Sequence, residues 1–122
     1  MVHMRTHTGR VLVVDDCRVS RSVIKRVVQD AGWVCIAVCD GLHAVQAWVH
    51  GAYTLIIMDR YMPEMDGKCA VEHIRRNEKG DARVRIVGVS ADGESAWEGV
   101  DVDLVATKPL SQHDVHKILE SC

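Results

Sequence analysis

The chain has 122 residues, 48% of them apolar and 26% charged, with 15 Lys and Arg against 17 Asp and Glu. That length is enough for one domain with a buried core, and a net charge of −2 lacks the basic footprint on which nucleic-acid binding relies. No apolar run nears the ~20 residues that cross a bilayer, and the polar opening MVHMRTHTGR is unlike a secretory signal.

Residues 1–10 show no hydrophobic periodicity and read as a flexible tail, native or a cloning remnant. His3 and His7 would make a poor metal site there, since nothing anchors them. Residues 11–122 read as one domain. VLVV (11–14), VCIAV (34–38), TLIIM (54–58), RIVGV (85–89) and DLVAT (103–107) are candidate strands. Several are apolar at successive positions, as expected of parallel strands covered on both faces.

Helical patterns fall between them. Val19, Val23, Ile24, Val27 and Val28 form one apolar stripe, with Arg18, Arg21, Lys25 and Arg26 on other faces, ending at Ala31-Gly32. Val45, Trp48 and Val49 give a second, ended near Gly51. Ala70, Val71 and Ile74 give a third, ended near Gly80. A fourth segment around 92–99 is weak, because Gly93 and Gly99 leave little room for a regular helix. The last opens on Ser111 as cap, with Asp114 three residues on, and buries Val115, Ile118 and Leu119. Alternation of five strands with five helices predicts a doubly wound α/β sandwich. The five cysteines are odd in number and contain no C-x-x-C pair, so reduced and mostly buried thiols are expected rather than a disulfide framework.

Reactive side chains close the apolar runs: Asp15-Asp16 after the first, Asp59 after the third, Ser90 after the fourth and Lys108 after the fifth. In an open parallel sheet, chemistry sits outside the carboxyl ends of the strands. Three carboxylates, a hydroxyl and an ammonium would therefore share one pocket. Two carboxylates 4 Å apart repel by about 4 kcal/mol at an effective dielectric near 20, which Mg²⁺, a hard cation that takes oxygen ligands, would relieve. Asp16 is also a reasonable cap for a helix starting near Arg18. That explains one acid of the three. Beside a cation, Asp59 becomes a plausible covalent phosphoryl acceptor, with Lys108 and Ser90 available to the phosphoryl oxygens.

VLVVDD, LIIMDRYMPEMDG, VGVSA and Lys108-Pro109 resemble, in order and over about residues 10–120, the receiver domain of two-component response regulators. In style they are similar to receivers of hybrid histidine kinases and to single-domain regulators. The resemblance implies a flavodoxin-like (βα)5 sandwich with sheet order 2-1-3-4-5. It also implies Asp59 as phosphoacceptor, Ser90 as switch hydroxyl and Lys108 as phosphate-binding lysine. Mg²⁺, or Mn²⁺ in its place, would be held by Asp15, Asp16, Asp59 and the backbone carbonyl of Tyr61. The implied donor is a histidine kinase or histidine phosphotransfer protein, in the cytoplasm, and the chain is expected to accept phosphate without multiple turnover. The basic first helix is a candidate docking face. The family's Lys-Pro bond is typically cis.

The sequence departs from the family in three places. Val105 stands where most receivers carry an aromatic switch residue. The interval from Ser90 to Lys108 is about four residues short, roughly one helical turn, which predicts a truncated or irregular fourth helix. Tyr61 lies on the pocket rim, where its bulk would shield an aspartyl phosphate from water. The alternative functions are a receiver-like interaction module that no longer uses phosphate and, from another class, a phosphatase using an aspartyl phosphate. The latter would want a second acid at position 61, which is Tyr.

Overall fold

The computed structural model describes residues 9–122; His3 and His7, and nearly all of the expected tail, lie outside them. Five strands alternate with four helices and one short turn. These are β1 (Arg10–Val14), α1 (Arg18–Asp30), β2 (Val34–Val38), α2 (Gly41–His50), β3 (Leu55–Asp59), α3 (Gly67–Asn77), β4 (Arg85–Ser90), a 3₁₀ turn (Gly93–Trp97), β5 (Leu104–Thr107) and α4 (Gln112–Glu120). The sheet is parallel throughout, in the order β2-β1-β3-β4-β5.

The continuous apolar runs are explained by two covered faces. Val11, Val13, Leu55, Ile57, Val87 and Val89 pack with Ile24, Val28, Val115, Ile118 and Leu119 of α1 and α4. The alternate residues Leu12, Val14, Ile56, Met58 and Ile86 pack with Ala44, Val45, Ala70, Val71 and Ile74 of α2 and α3. Each such fully buried aliphatic side chain contributes roughly 1.5–3 kcal/mol of transfer free energy. The chain leaves β1 to one side for β2 and returns on the other side for β3. A crevice therefore opens at the carboxyl ends of β1 and β3, where strand order reverses.

Helix α4 begins as expected: the Ser111 hydroxyl accepts from the Asp114 N–H at 3.0 Å and the Asp114 carboxylate accepts from the Ser111 N–H at 2.8 Å. Other readings need correction. Val19 and Val23 are exposed, at 72% and 52%, because at 100° per residue they sit about 140° and 100° around α1 from Ile24, outside the buried arc. Val49 is likewise exposed. Among the cysteines only Cys35 is buried, where desolvation pushes its thiol up to about 11. Cys17, Cys39, Cys69 and Cys122 lie at loops, helix starts and the terminus, and are exposed.

The fourth helical segment is irregular, as the short Ser90-to-Lys108 interval predicts, and forms no α-helix. In its place are the five residues of the 3₁₀ turn, with Gly93 at φ +62° and Gly99 just beyond at φ +76°. Trp97 fills the space, 2% exposed. A Cβ on Gly88 would stand 2.5 Å from its ring, so β4 carries glycine where the indole presses on the sheet. Val105 lies at the edge of the same apolar cluster. The shortened crossover is tied down by Asp103, whose N–H donates to the Ile86 carbonyl at 2.9 Å. Its carboxylate accepts from the Ile86 N–H at 2.8 Å and from Arg75 at 2.9 Å. No helix among the described residues is long and apolar enough to cross a membrane.

Candidate phosphoacceptor site

Asp59 is the last residue of β3 and is 5% exposed. Asp15 follows β1 and is 2% exposed, held by its N–H to the Val38 carbonyl at 3.2 Å. Its Oδ1 accepts from the Cys17 N–H at 2.8 Å, and Arg21 donates to its carbonyl at 2.8 Å. Asp16 is exposed and does not cap α1: the N-cap is Cys17, with no side-chain cap bond. The acid's second explanation thus falls away, and its carboxylate instead joins those of Asp15 and Asp59, with ligand atoms all within 4.8 Å of one another.

Lys108 reaches the site from the end of β5. Its N–H donates to the Ser90 carbonyl at 2.9 Å, extending the β4–β5 pairing by one residue, and its peptide bond to Pro109 is cis. The ammonium Nζ lies 2.8 Å from Asp59 Oδ2 and 3.7 Å from Asp15 Oδ1. Four of the expected residues, Asp15, Asp16, Asp59 and Lys108, therefore converge.

Ser90 stands at the end of β4, adjacent but otherwise engaged. Its buried hydroxyl accepts from the Asp92 N–H at 3.1 Å and donates to the Gly93 carbonyl at 3.4 Å. Tyr61, two residues beyond Asp59, is 57% exposed, with the Arg60 guanidinium 4.8 Å from its ring centroid.

The pocket holds three carboxylates against one ammonium, and the titration directions follow from that surplus. Burial raises the Asp59 carboxyl above its ordinary value, Lys108 opposes this, and the charges of Asp15 and Asp16 add to it. For Lys108, burial works to lower the ammonium. It is outweighed by the hydrogen bond and charge of Asp59, with Asp15 and Asp16, and the group is raised. A hard divalent cation is the charge this donor set lacks, and an all-oxygen site of carboxylates fits Mg²⁺.

Sequence reasoning missed Arg60 and Gly67. Arg60 donates to Asp66 Oδ2 at 2.9 Å and to the Ala96 carbonyl at 2.7 Å, with its guanidinium 5.8 Å from the Trp97 ring. It thereby joins the loop after Asp59 to the 3₁₀ turn. A Cβ on Gly67 would lie 2.1 Å from the Asp59 carbonyl oxygen and 2.8 Å from Trp97. The D-G pair at the end of the MDRYMPEMDG string was the available signal: Asp66 caps α3 by accepting from the Cys69 N–H at 2.9 Å, and glycine follows where the backbone comes close.

The parallel 2-1-3-4-5 sheet with an acidic cluster and a lysine at its carboxyl edge defines the receiver class. The chain belongs to the response regulator receiver domain family, whose model matches residues 11–120. Over 124 aligned positions it is 32% identical to the sensor protein GacS of Pseudomonas syringae, covering 95% of this chain and 14% of GacS. It is 35% identical over 88 positions to the chemotaxis protein CheY of Bacillus subtilis, covering 71% of each. The chain thus spans only a small part of the sensor kinase it matches. Among solved structures, the receiver domain of a Pseudomonas aeruginosa sensor histidine kinase has magnesium coordinated in its active-site cleft. It superposes with a TM-score of 0.81 at 28% identity, over 93% of this chain and 95% of that one.

Proposed function

We propose that this receiver accepts a single phosphoryl group on Asp59 from a phosphohistidine of a histidine kinase or histidine phosphotransfer protein, in the cytoplasm. The observation that carries the reading is the buried Asp59 carboxylate with Lys108 Nζ at 2.8 Å and the Asp15 and Asp16 carboxylates within 4.8 Å. In the transfer an Asp59 oxygen attacks phosphorus, the O–P bond forms as the donor's P–N bond breaks, and the imidazole leaves with the electron pair. Lys108 passes from the carboxylate to a phosphoryl oxygen. Ser90 leaves its contact with Gly93 and donates to another. Asp15, Asp16, Asp59 and the Tyr61 carbonyl would hold Mg²⁺, or Mn²⁺, which would supply positive charge to the phosphoryl oxygens. Val19 and Val23, exposed on α1 beside Arg18, form the apolar part of a docking face for the donor protein.

Incubation with a small acyl phosphate and Mg²⁺, followed by intact mass, tests the chemistry. One added phosphoryl group, absent from Asp59→Asn and from samples in chelator, is expected, with no turnover of a phosphomonoester. A chain that stays unlabelled, or an Asp59→Asn chain that labels equally, would overturn the assignment.

A further inference from the structure

Two groups of metal-ligating side chains converge among the described residues. One is the acid pocket; the other is Cys39, Asp40 and His43. Cys39 and Asp40 leave β2, and His43 lies one turn later in α2. Asp40, 5% exposed, caps the helix: its Oδ1 accepts from the His43 N–H at 2.8 Å.

Capping needs no more than that bond, yet two further groups turn onto the same carboxylate. The His43 imidazole places Nδ1 2.8 Å from Oδ1, and the free Cys39 thiol places Sγ 3.8 Å from Oδ2 and 4.0 Å from Nδ1. With Zn–S near 2.3 Å and Zn–N near 2.0–2.1 Å, a tetrahedral site has S···N of roughly 3.5 Å, so small side-chain rotations would close the present gap. The donor set is one sulfur, one imidazole nitrogen and one carboxylate oxygen. That suits zinc-class cations and not magnesium, which prefers oxygen throughout.

The backbone beneath is fixed on both sides. The Asp15 N–H bonds the Val38 carbonyl, and the Gly41 N–H bonds the Met65 carbonyl at 2.8 Å. A Cβ on Gly41 would lie 2.3 Å from that oxygen. Cys39 and His43 are exposed, which leaves a path for the ion to enter.

We propose that Cys39 Sγ, His43 Nδ1 and an Asp40 carboxylate oxygen bind one zinc-class divalent cation, with water in the fourth position. Binding releases the thiol proton to solvent, and the imidazole, ligating through Nδ1, carries its single proton at Nε2.

The test is absorption spectroscopy of the full chain titrated with Co²⁺ in excess Mg²⁺. One equivalent should give a near-ultraviolet thiolate-to-cobalt charge-transfer band, and Zn²⁺ should displace it. Cys39→Ser should lose the band, and Asp59→Asn should keep it. His43→Ala should weaken binding by more than the ~10–100-fold typical of losing a ligand's outer partner. Zn²⁺ should also raise the Tm of the parent chain and leave that of Cys39→Ser unchanged. Absence of the band from the parent chain would overturn the proposal. So would its survival in Cys39→Ser, which would assign the metal to another thiol such as Cys17 or Cys69. Loss of the band in Asp59→Asn, or an equal Tm shift in Cys39→Ser, would overturn it too.

Discussion

Val19 and Tyr61 are both exposed, and each makes a separable prediction. Val19 stands on the flank of α1 that neither sheet nor α4 covers. If that flank receives the donor protein, Val19→Asp should slow phosphotransfer from a histidine phosphotransfer protein by about tenfold, the equivalent of about 1.4 kcal/mol. Labelling by a small acyl phosphate should not change, which separates docking from chemistry in one pair of rate measurements. Tyr61 follows Asp59 by two residues with Arg60 over its ring; if the pair covers the acid cluster, it would restrict the approach of water to a phosphorylated Asp59. Tyr61→Ala is expected to shorten the lifetime of the phosphorylated chain, followed by mass spectrometry after removal of the donor. At this scale the convergence of Asp15, Asp16, Asp59 and Lys108 was the most legible feature of the sequence, because an acid or amine at the end of an apolar run has few structural uses. The capping role expected of Asp16 was not legible. Which of two consecutive acids, or the cysteine after them, opens a helix depends on where the first turn begins, and that is set by tertiary packing.

Between Ser90 and β5, the element the chain lacks is as informative as those it has. A crossover too short for a helix still has to cover the face of β4, and a single indole does so against Gly88 and Gly67. Gly88→Ala would drive a methyl group into the ring and should cost about 1–3 kcal/mol of stability. Trp97→Ala would leave a cavity and cost about 3–5 kcal/mol. Urea denaturation of both variants checks the pair, and the Gly88→Ala penalty should shrink when Trp97 is also replaced. The glycines at 93 and 99 made the weakness of this segment visible in advance, but nothing in the sequence singled out Trp97. A lone aromatic in a stretch without periodicity carries no sign of which face it will fill. The strands, by contrast, were readable to within about a residue at each end, because burial on both faces demands unbroken apolar runs of strand length.

For the whole molecule, acid sensitivity should centre on the cluster that closes this crossover. Arg75 bridges Glu78, Asp101 and Asp103, while Arg83 pairs with both aspartates. Burial works to raise the Asp103 carboxyl, but the Ile86 N–H, Arg83 and Arg75 outweigh it and hold the group below its ordinary value. Its folded value is thus lower than its unfolded one near 3.9. The resulting stability is fully present above that unfolded value and is lost as pH falls through the folded one. Asp103→Asn is expected to lower stability at pH 7 by about 1–2 kcal/mol, since part of the cluster is exposed and screened. The difference from the parent chain should vanish in strong acid, as Tm measured across pH would report. The close approach at Gly67 has one more result. The space a methyl group would need there is shared by the backbone oxygen of Asp59 and the rim of the Trp97 indole. The protein therefore carries its own fluorophore within a few ångströms of the end of β3. With Trp33 and Trp48 replaced by phenylalanine, its emission would report events at the acid cluster without any attached label.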